Sequence, residues 1–207
     1  MSSGTQPWIT AALTLFLVAG RAHSAADGED PYGEPSPRYL RQFAEKGAKI
    51  FVLERFDAAG NLAARTMEKL NHDVEIVGPT ERGIGNWRIT LRGLSPCPAD
   101  RVIYNRVQVW RCVDAARDYA GAIYNGRASV ILCKTLVLDE GQVQALPASC
   151  FLLVGGDGEA FRTVNDDDGM VFLGLAAIGQ TAAGRSRRPD LAESLSLARS
   201  MGFQKAD

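Results

Sequence analysis

The sequence is poor in the side chains that most often carry chemistry. It has two histidines in 207 residues, His23 and His72. Its four cysteines, Cys97, Cys112, Cys133 and Cys150, include no Cys-x-x-Cys pair. Structural zinc sites are built from closely spaced thiolate and imidazole ligands, so this spacing argues against zinc. Ser95, Ser129 and Ser149 lack a Gly-x-Ser-x-Gly setting, and His72 has no second histidine in the chain after residue 25. A serine-hydrolase triad therefore has little support. An excess of one charge is missing too: 23 basic and 24 acidic residues leave a net charge of −1. Nucleic-acid-binding domains normally show a basic footprint, which the net charge does not supply. No apolar run reaches the ~20 residues needed to span a bilayer.

The chain opens with a short apolar run, Ala11 to Gly20, followed by small residues at Ala22, Ser24, Ala25 and Ala26. This is the pattern of a signal peptide over residues 1–25, cleaved near Ala25. No Lys or Arg precedes the run, which leaves an N-terminal membrane anchor as the alternative. Export places the protein in the periplasm or outside the cell, with no membrane attachment after cleavage. An even number of cysteines in such a compartment implies disulfides. Residues 26–37 are acidic and rich in Pro and Gly, the composition of a flexible linker. Residues 38–207 are then a single domain.

Within that domain, Ser36 and Pro37 suit the start of a short helix that Gly47 ends. Lys49–Phe56 reads as a strand. Leu62–Asn71 has helical propensity but also suits the returning strand of a hairpin. Asp73–Val77 and Trp87–Leu94 read as strands around a turn at Gly83–Asn86. In the second of these, alternation sets Trp87, Ile89 and Leu91 on one face. Ser95–Arg101 reads as a loop. A helix is expected over Val113–Tyr124, strands over Arg127–Leu138 and Ser149–Val154, and a turn over Gly155–Gly158. Asn165 to Asp168 suit the cap of a helix over Gly169–Ile178. Gly184–Arg188 reads as a basic loop, and Pro189 opens a last helix through Met201. The class is α+β.

Several short motifs fall in a telling order. Thr90-Leu91-Arg92-Gly93-Leu94-Ser95-Pro96 ends a strand. Cys112-Val113-Asp114-Ala115-Ala116-Arg117 opens a helix. Asn125-Gly126-Arg127 leads into a strand holding Cys133. Ser149-Cys150-Phe151 precedes Gly155-Gly156, and Ala198-Arg199-Ser200-Met201-Gly202 closes the last helix. Over residues 74–203 this resembles the thermonuclease, or staphylococcal-nuclease-like, family. The resemblance implies a small OB-like five-stranded β-barrel with flanking helices. It also implies a calcium ion held by aspartates and two arginines on the reacting phosphate, because charge builds there in the transition state.

The catalytic positions of that family are not kept. They fall at Thr90 for the first arginine, at Ser95 for the loop aspartate and near Gln142 for the second arginine. The glutamate expected beyond the loop is missing as well, where Pro98-Ala99-Asp100 follow Cys97. Arg88 and Arg92 lie two residues either side of Thr90, on the same face of an extended strand, so one arginine could be replaced. The resemblance thus implies a degenerate member, without catalytic residues, metal or cofactor, acting as a binding module for a protein partner. Arg88, Arg92, Arg185, Arg187 and Arg188 are the candidate binding residues. Two other readings remain: an active calcium-dependent nuclease that uses Arg88 or Arg92 with Glu75 or Glu81, and an unrelated periplasmic inhibitor or accessory protein. Asp166-Asp167-Asp168-Gly169 is not an EF-hand, since Val164 and Leu175 stand where acidic ligands are required; helix capping or a solvated turn is its reading. Gly155-Gly156-Asp157-Gly158 lacks the Lys-Ser or Lys-Thr of a phosphate loop.

Four cysteines allow three pairings, and sequence alone does not choose. The strand assignments favour Cys133 with Cys150, which antiparallel pairing would bring within the ~7 Å a bridge spans. That leaves Cys97 with Cys112, across a loop of roughly 15 residues.

Overall fold

The computed structural model describes residues 31–98, 100–104, 109–137, 145–156 and 159–203. Residues 1–30, which include the segment read as a signal peptide, and Gln142 lie outside the described residues. In chain order the first elements are α1 (Pro37–Arg41), β1 (Lys49–Phe56), β2 (Leu62–Leu70), β3 (Glu75–Gly78), β4 (Glu81–Ile84), β5 (Trp87–Leu91), β6 (Leu94–Pro96), β7 (Val102–Tyr104) and β8 (Val109–Arg111). They are followed by α2 (Cys112–Tyr124), β9 (Ala128–Leu136), β10 (Leu146–Gly156), β11 (Glu159–Asn165), α3 (Asp166–Phe172) and β12 (Ala176–Ile178). A 3-10 turn, Pro189–Leu191, leads into α4 (Ala192–Ser200).

Eight strands form one sheet along the path β2-β1-β9-β10-β5-β4-β3, with β11 also against β10. β1 runs parallel to β9, and β5 parallel to β10; the other neighbours are antiparallel. The long strand β10 changes partners along its length. Leu146–Ala148 pair with β5, and from Phe151 onward the strand pairs with β11. β6 pairs with β12, and β7 with β8, as separate ribbons.

The α+β class is as the sequence indicates, but the sheet is not closed into the expected five-stranded barrel. Its two ends, β2 and β3, are not paired to each other. The physical reason is the hairpin of β1 and β2. β1 takes the edge of β9, from Ile50 opposite Val130 to Phe56 opposite Leu136. β2 then pairs with β1 over its whole length, from Lys49–Leu70 to Phe56–Leu62. Strand pairing here overrides the helical propensity of Leu62–Leu70.

Other boundaries also differ. The turn expected from Gly83 starts two residues later, at Gly85 with φ 56°, so Glu81–Ile84 pairs as β4. β11 has no apolar alternation to announce it, being half-buried or exposed along its length. The helix expected to run to Ile178 ends at Phe172, and Gly174 at φ 69° turns the chain into β12. α1 stops at Arg41, well before Gly47.

The central strands bury both faces, which explains their near-continuous apolar sequence. Phe51, Leu53, Ile131, Cys133, Leu152 and Val154 join the larger core. That core also takes Ala115, Ala116, Ala120, Ile123 and Tyr124 from α2. Ile50, Val52, Val130, Leu132, Phe151 and Leu153 face the other way, around Leu40 of α1. α1 begins as its sequence suggests, with Ser36 accepting from the Tyr39 amide at 3.2 Å and Pro37 at the first helical position. The stretch before it makes specific contacts. Lys134 donates to the Gly33 carbonyl at 2.8 Å, and Thr163 to the Pro35 carbonyl at 2.9 Å.

Cys97 is bonded to Cys112 and Cys133 to Cys150, the pairing that the strand order favours. Cys133 and Cys150 are direct partners in the β9–β10 register, with Cα atoms 4.2 Å apart. Replacing Cys97 and Cys112 together by alanine should lower unfolding free energy by about 3 kcal/mol, the chain-entropy value for a loop of this length. Urea denaturation measures it, and a loss below about 1 kcal/mol would show that the bridge does little to constrain the unfolded chain.

Candidate functional site

The nominated residues fall into three environments. Arg88, on β5, is exposed. Its Nε lies 3.1 Å from Glu81 Oε1, and its Nη1 lies 3.5 Å from Glu75 Oε2. Antiparallel pairing across β3, β4 and β5 brings this trio together, with Gly83 the register partner of both Glu75 and Arg88. Thr90 is half-buried on the same strand and its hydroxyl donates to the Thr80 carbonyl at 3.4 Å. Ile89 and Leu91 point into the core, and Trp87 packs against it, as their alternation indicates.

The second environment is built around the turn at Gly93. Gly179 donates to the Gly93 carbonyl at 2.8 Å and accepts from the Arg187 amide at 2.9 Å, so residues 179–188 fold back beside this turn. Ser95 is exposed on β6, where it pairs with Ala177 of β12. Arg185 and Arg187 are exposed; Arg187 Nε donates to the Gln180 carbonyl at 3.0 Å. The Arg92 guanidinium lies 3.7 Å from the centre of the Tyr32 ring, a cation–π contact, and 4.0 Å from Asp190. Burial, followed by the charge of Arg188, lowers the Arg92 pKa from its usual value.

The third environment holds Arg188, which sequence places in a solvated basic loop. It is instead only 2% exposed. Its Nη1 donates to Asp167 Oδ2 at 2.5 Å and to the Arg92 carbonyl at 2.8 Å. Its Nε and Nη2 grip Asp190 at 2.7–3.0 Å. A second buried pair lies next to it in sequence. Arg82 Nη2 donates to Asp166 Oδ2 at 3.0 Å, and Tyr124 donates to the same oxygen at 2.9 Å. Arg82 Nη1 also reaches the carbonyls of Gly78, Pro79 and Glu81. Asp168 accepts from Ser194, and its own amide donates to the capping side chain of Asn165 at 3.3 Å.

The Asp-Asp-Asp run is therefore neither a solvated turn nor a metal loop. Asp166 and Asp167 are wholly buried, each with an arginine from a different part of the chain. Placing carboxylates in the first turn of α3 also suits the partial positive charge of a helix start. Sequence reasoning missed Arg82 and Tyr124. The available signal for Arg82 was its place two residues before the buried Ile84, which sets both on one face of an extended strand. At Gly169 a Cβ would land on the Tyr119 hydroxyl, so the close approach of that ring requires glycine. Burial raises the pKa of Tyr119 and of Tyr124, with the charge of Asp166 as the next cause, so both act as neutral hydroxyls.

Burial shields Asp166 and Asp167 from solvent, while Asp168 is half-buried. Among the described residues no three His, Cys, Asp or Glu side chains are grouped to hold a metal ion. The two disulfides fit an oxidising compartment outside the cytosol. No helix among the described residues is long and apolar enough to cross a membrane. In comparisons with known proteins, the chain matches no family model and no curated protein.

Two predictions test the buried pairs. Arg82→Met leaves Asp166 buried without its cation and should cost 3–5 kcal/mol, roughly the cost of stranding a buried charge. The double variant Arg82→Met with Asp166→Leu should recover most of that loss, as read from chemical denaturation. The other prediction concerns pH. Burial raises the Asp167 pKa from 3.8 to about 6, against the opposing pull of Arg188. A carboxyl raised in the folded state contributes its stability fully below the unfolded pKa and loses it as pH rises through the folded value. Wild type should therefore lose stability relative to Asp167→Asn between about pH 4 and pH 6. A constant difference across that range in thermal melts would contradict the assignment.

Proposed function

We propose that this protein is an exported, catalytically degenerate thermonuclease-like domain that works as a protein-binding module in the periplasm or outside the cell. The observation that carries the reading is the chemistry at the described family positions. Thr90 spends its hydroxyl on the Thr80 carbonyl, and Ser95 is a neutral side chain on a two-stranded ribbon. Neither offers the charge that a calcium ion or a pentavalent phosphate requires. The element order supports the reading as well. Thr90–Pro96 runs from β5 into β6, Cys112 opens α2, Asn125–Arg127 turns into β9, and Gly155–Gly156 ends β10. In this view the β3–β4–β5 meander, α2 and the β9–β10 pair are an opened counterpart of the five-stranded barrel. The hairpin of β1 and β2 stands where closure would occur. Arg185 and Arg187, exposed on the loop beside Gly93, suit an acidic protein surface.

A second reading has one observation in its favour. Arg88, Glu75 and Glu81 converge on an exposed face, the grouping that a nuclease with relocated residues would need. A cleavage assay on single-stranded DNA, with calcium and with chelator, separates the two. The binding-module reading predicts no cleavage above background in either condition. Chelator-sensitive cleavage that Glu81→Gln abolishes would establish the second reading instead.

A further inference from the structure

A pocket opens at the junction of β1, the β2–β3 loop and the end of α2. It is an open surface depression of about 380 Å³, lined by Lys49, Leu70, Asn71, His72 and Asp73, the last three of them exposed. That volume is at the small end of the range for small-molecule sites. The walls are fixed by backbone pairing and by one side chain. Lys49 and Leu70 are register partners at the end of the β1–β2 hairpin. Asn125, which caps α2, accepts from the Val74 amide at 2.8 Å and donates to the Val74 carbonyl at 3.0 Å, tying the loop to the helix.

The cation in this pocket is poorly compensated. The Lys49 side chain is 17% exposed. Its ammonium reaches the Asn125 carbonyl at 3.2 Å and the Asn125 side-chain oxygen at 3.5 Å, both neutral acceptors. The charged partner among the described residues is Asp73, at 3.9 Å and 80% exposed. An exposed pair at that distance contributes little. Burial lowers the Lys49 pKa, and Asp73 opposes that shift without cancelling it. Contact with the last carbonyl of α2 explains why a lysine stands here, since cations suit helix C-termini. It does not supply the missing negative charge. Asp73, nearly free in solvent, can swing aside for a better-placed anion.

We propose that the Lys49 pocket binds the carboxylate of a small organic acid. The carboxylate takes the ammonium proton that Asp73 leaves unused, in a charge-assisted hydrogen bond, while Asn71 and His72 border the remainder of the molecule. Asp73 is then a competitor for the ligand and not part of its binding set. This separates the proposal from a simple surface ion pair, because it fixes the sign of two substitutions.

The test follows the His72 ring resonances of the purified protein while acetate, succinate or inorganic phosphate is added at constant ionic strength. Acetate and succinate should give saturable shifts at His72. Lys49→Met should weaken that binding by about tenfold or more. Asp73→Asn should tighten it roughly threefold, the size of an exposed charge term. Asp73→Asn leaves the α2 cap intact, so it decides the matter even if Lys49→Met fails to fold. The proposal is overturned by shifts that do not saturate, by unchanged or weaker binding in Asp73→Asn, or by phosphate binding as tightly as the carboxylates.

Discussion

Two adjacent carboxylates at the start of α3 hold this structure to one arrangement. Asp166 and Asp167 are fully buried, and each is neutralised by an arginine far away in sequence. Burying a charge is costly unless it is paired and hydrogen-bonded. The chain answers that cost by drawing distant segments to one point, leaving Asp166 Oδ1, Asp167 Oδ1 and Arg82 Nε as the buried atoms of these pairs without a hydrogen bond among the described residues. Arg82 brings β4 and, through its three carbonyl contacts, the β3–β4 turn. Tyr124 brings the end of α2. Arg188 brings the loop after β12, and its bond to the Arg92 carbonyl fastens that loop to the end of β5. Asp190 and Ser194 continue the chain of contacts into α4. The sheet and the C-terminal elements are thus joined by charge as well as by apolar packing.

That arrangement bears directly on function. Met in sequence, the acidic run reads as a helix cap or a solvated turn, with its arginine partners 84 and 21 positions away. Once both partners are shielded from solvent, the same residues can only position the fold. The side chains left available are of a different kind. They are the exposed arginines on the loop beside Gly93, the Arg88 trio on the meander, and the Lys49 pocket at the far end of β1.

Much of the frame was legible from residues. The strands β1, β5, β9 and β10 and the helix α2 follow from apolar pattern and β-branched content. The disulfide pairing followed from strand order, because antiparallel pairing sets Cys133 against Cys150. What escaped was set by contacts between distant segments. β2 carries a helical composition, yet β1 recruits it as a partner. β11 is too polar to stand out, and β10 forms it by pairing. Closure of a barrel depends on which strand takes the edge of β9, and no local pattern reports that. Arg188 in a run of basic residues reads as solvated, since its partner Asp167 lies 21 positions away. Gln142 and residues 1–30 fall outside the described residues, so the readings there rest on sequence.

Native-state hydrogen exchange on wild type and Arg188→Met tests the central claim most directly. If the Arg188–Asp167 pair fastens the C-terminal elements to the sheet, the variant should lose amide protection across residues 179–203 first. Protection in the β9 and β10 strands should remain near wild type, since those amides open only with larger unfolding units. Equal loss of protection in both regions, or no loss in residues 179–203, would contradict the account.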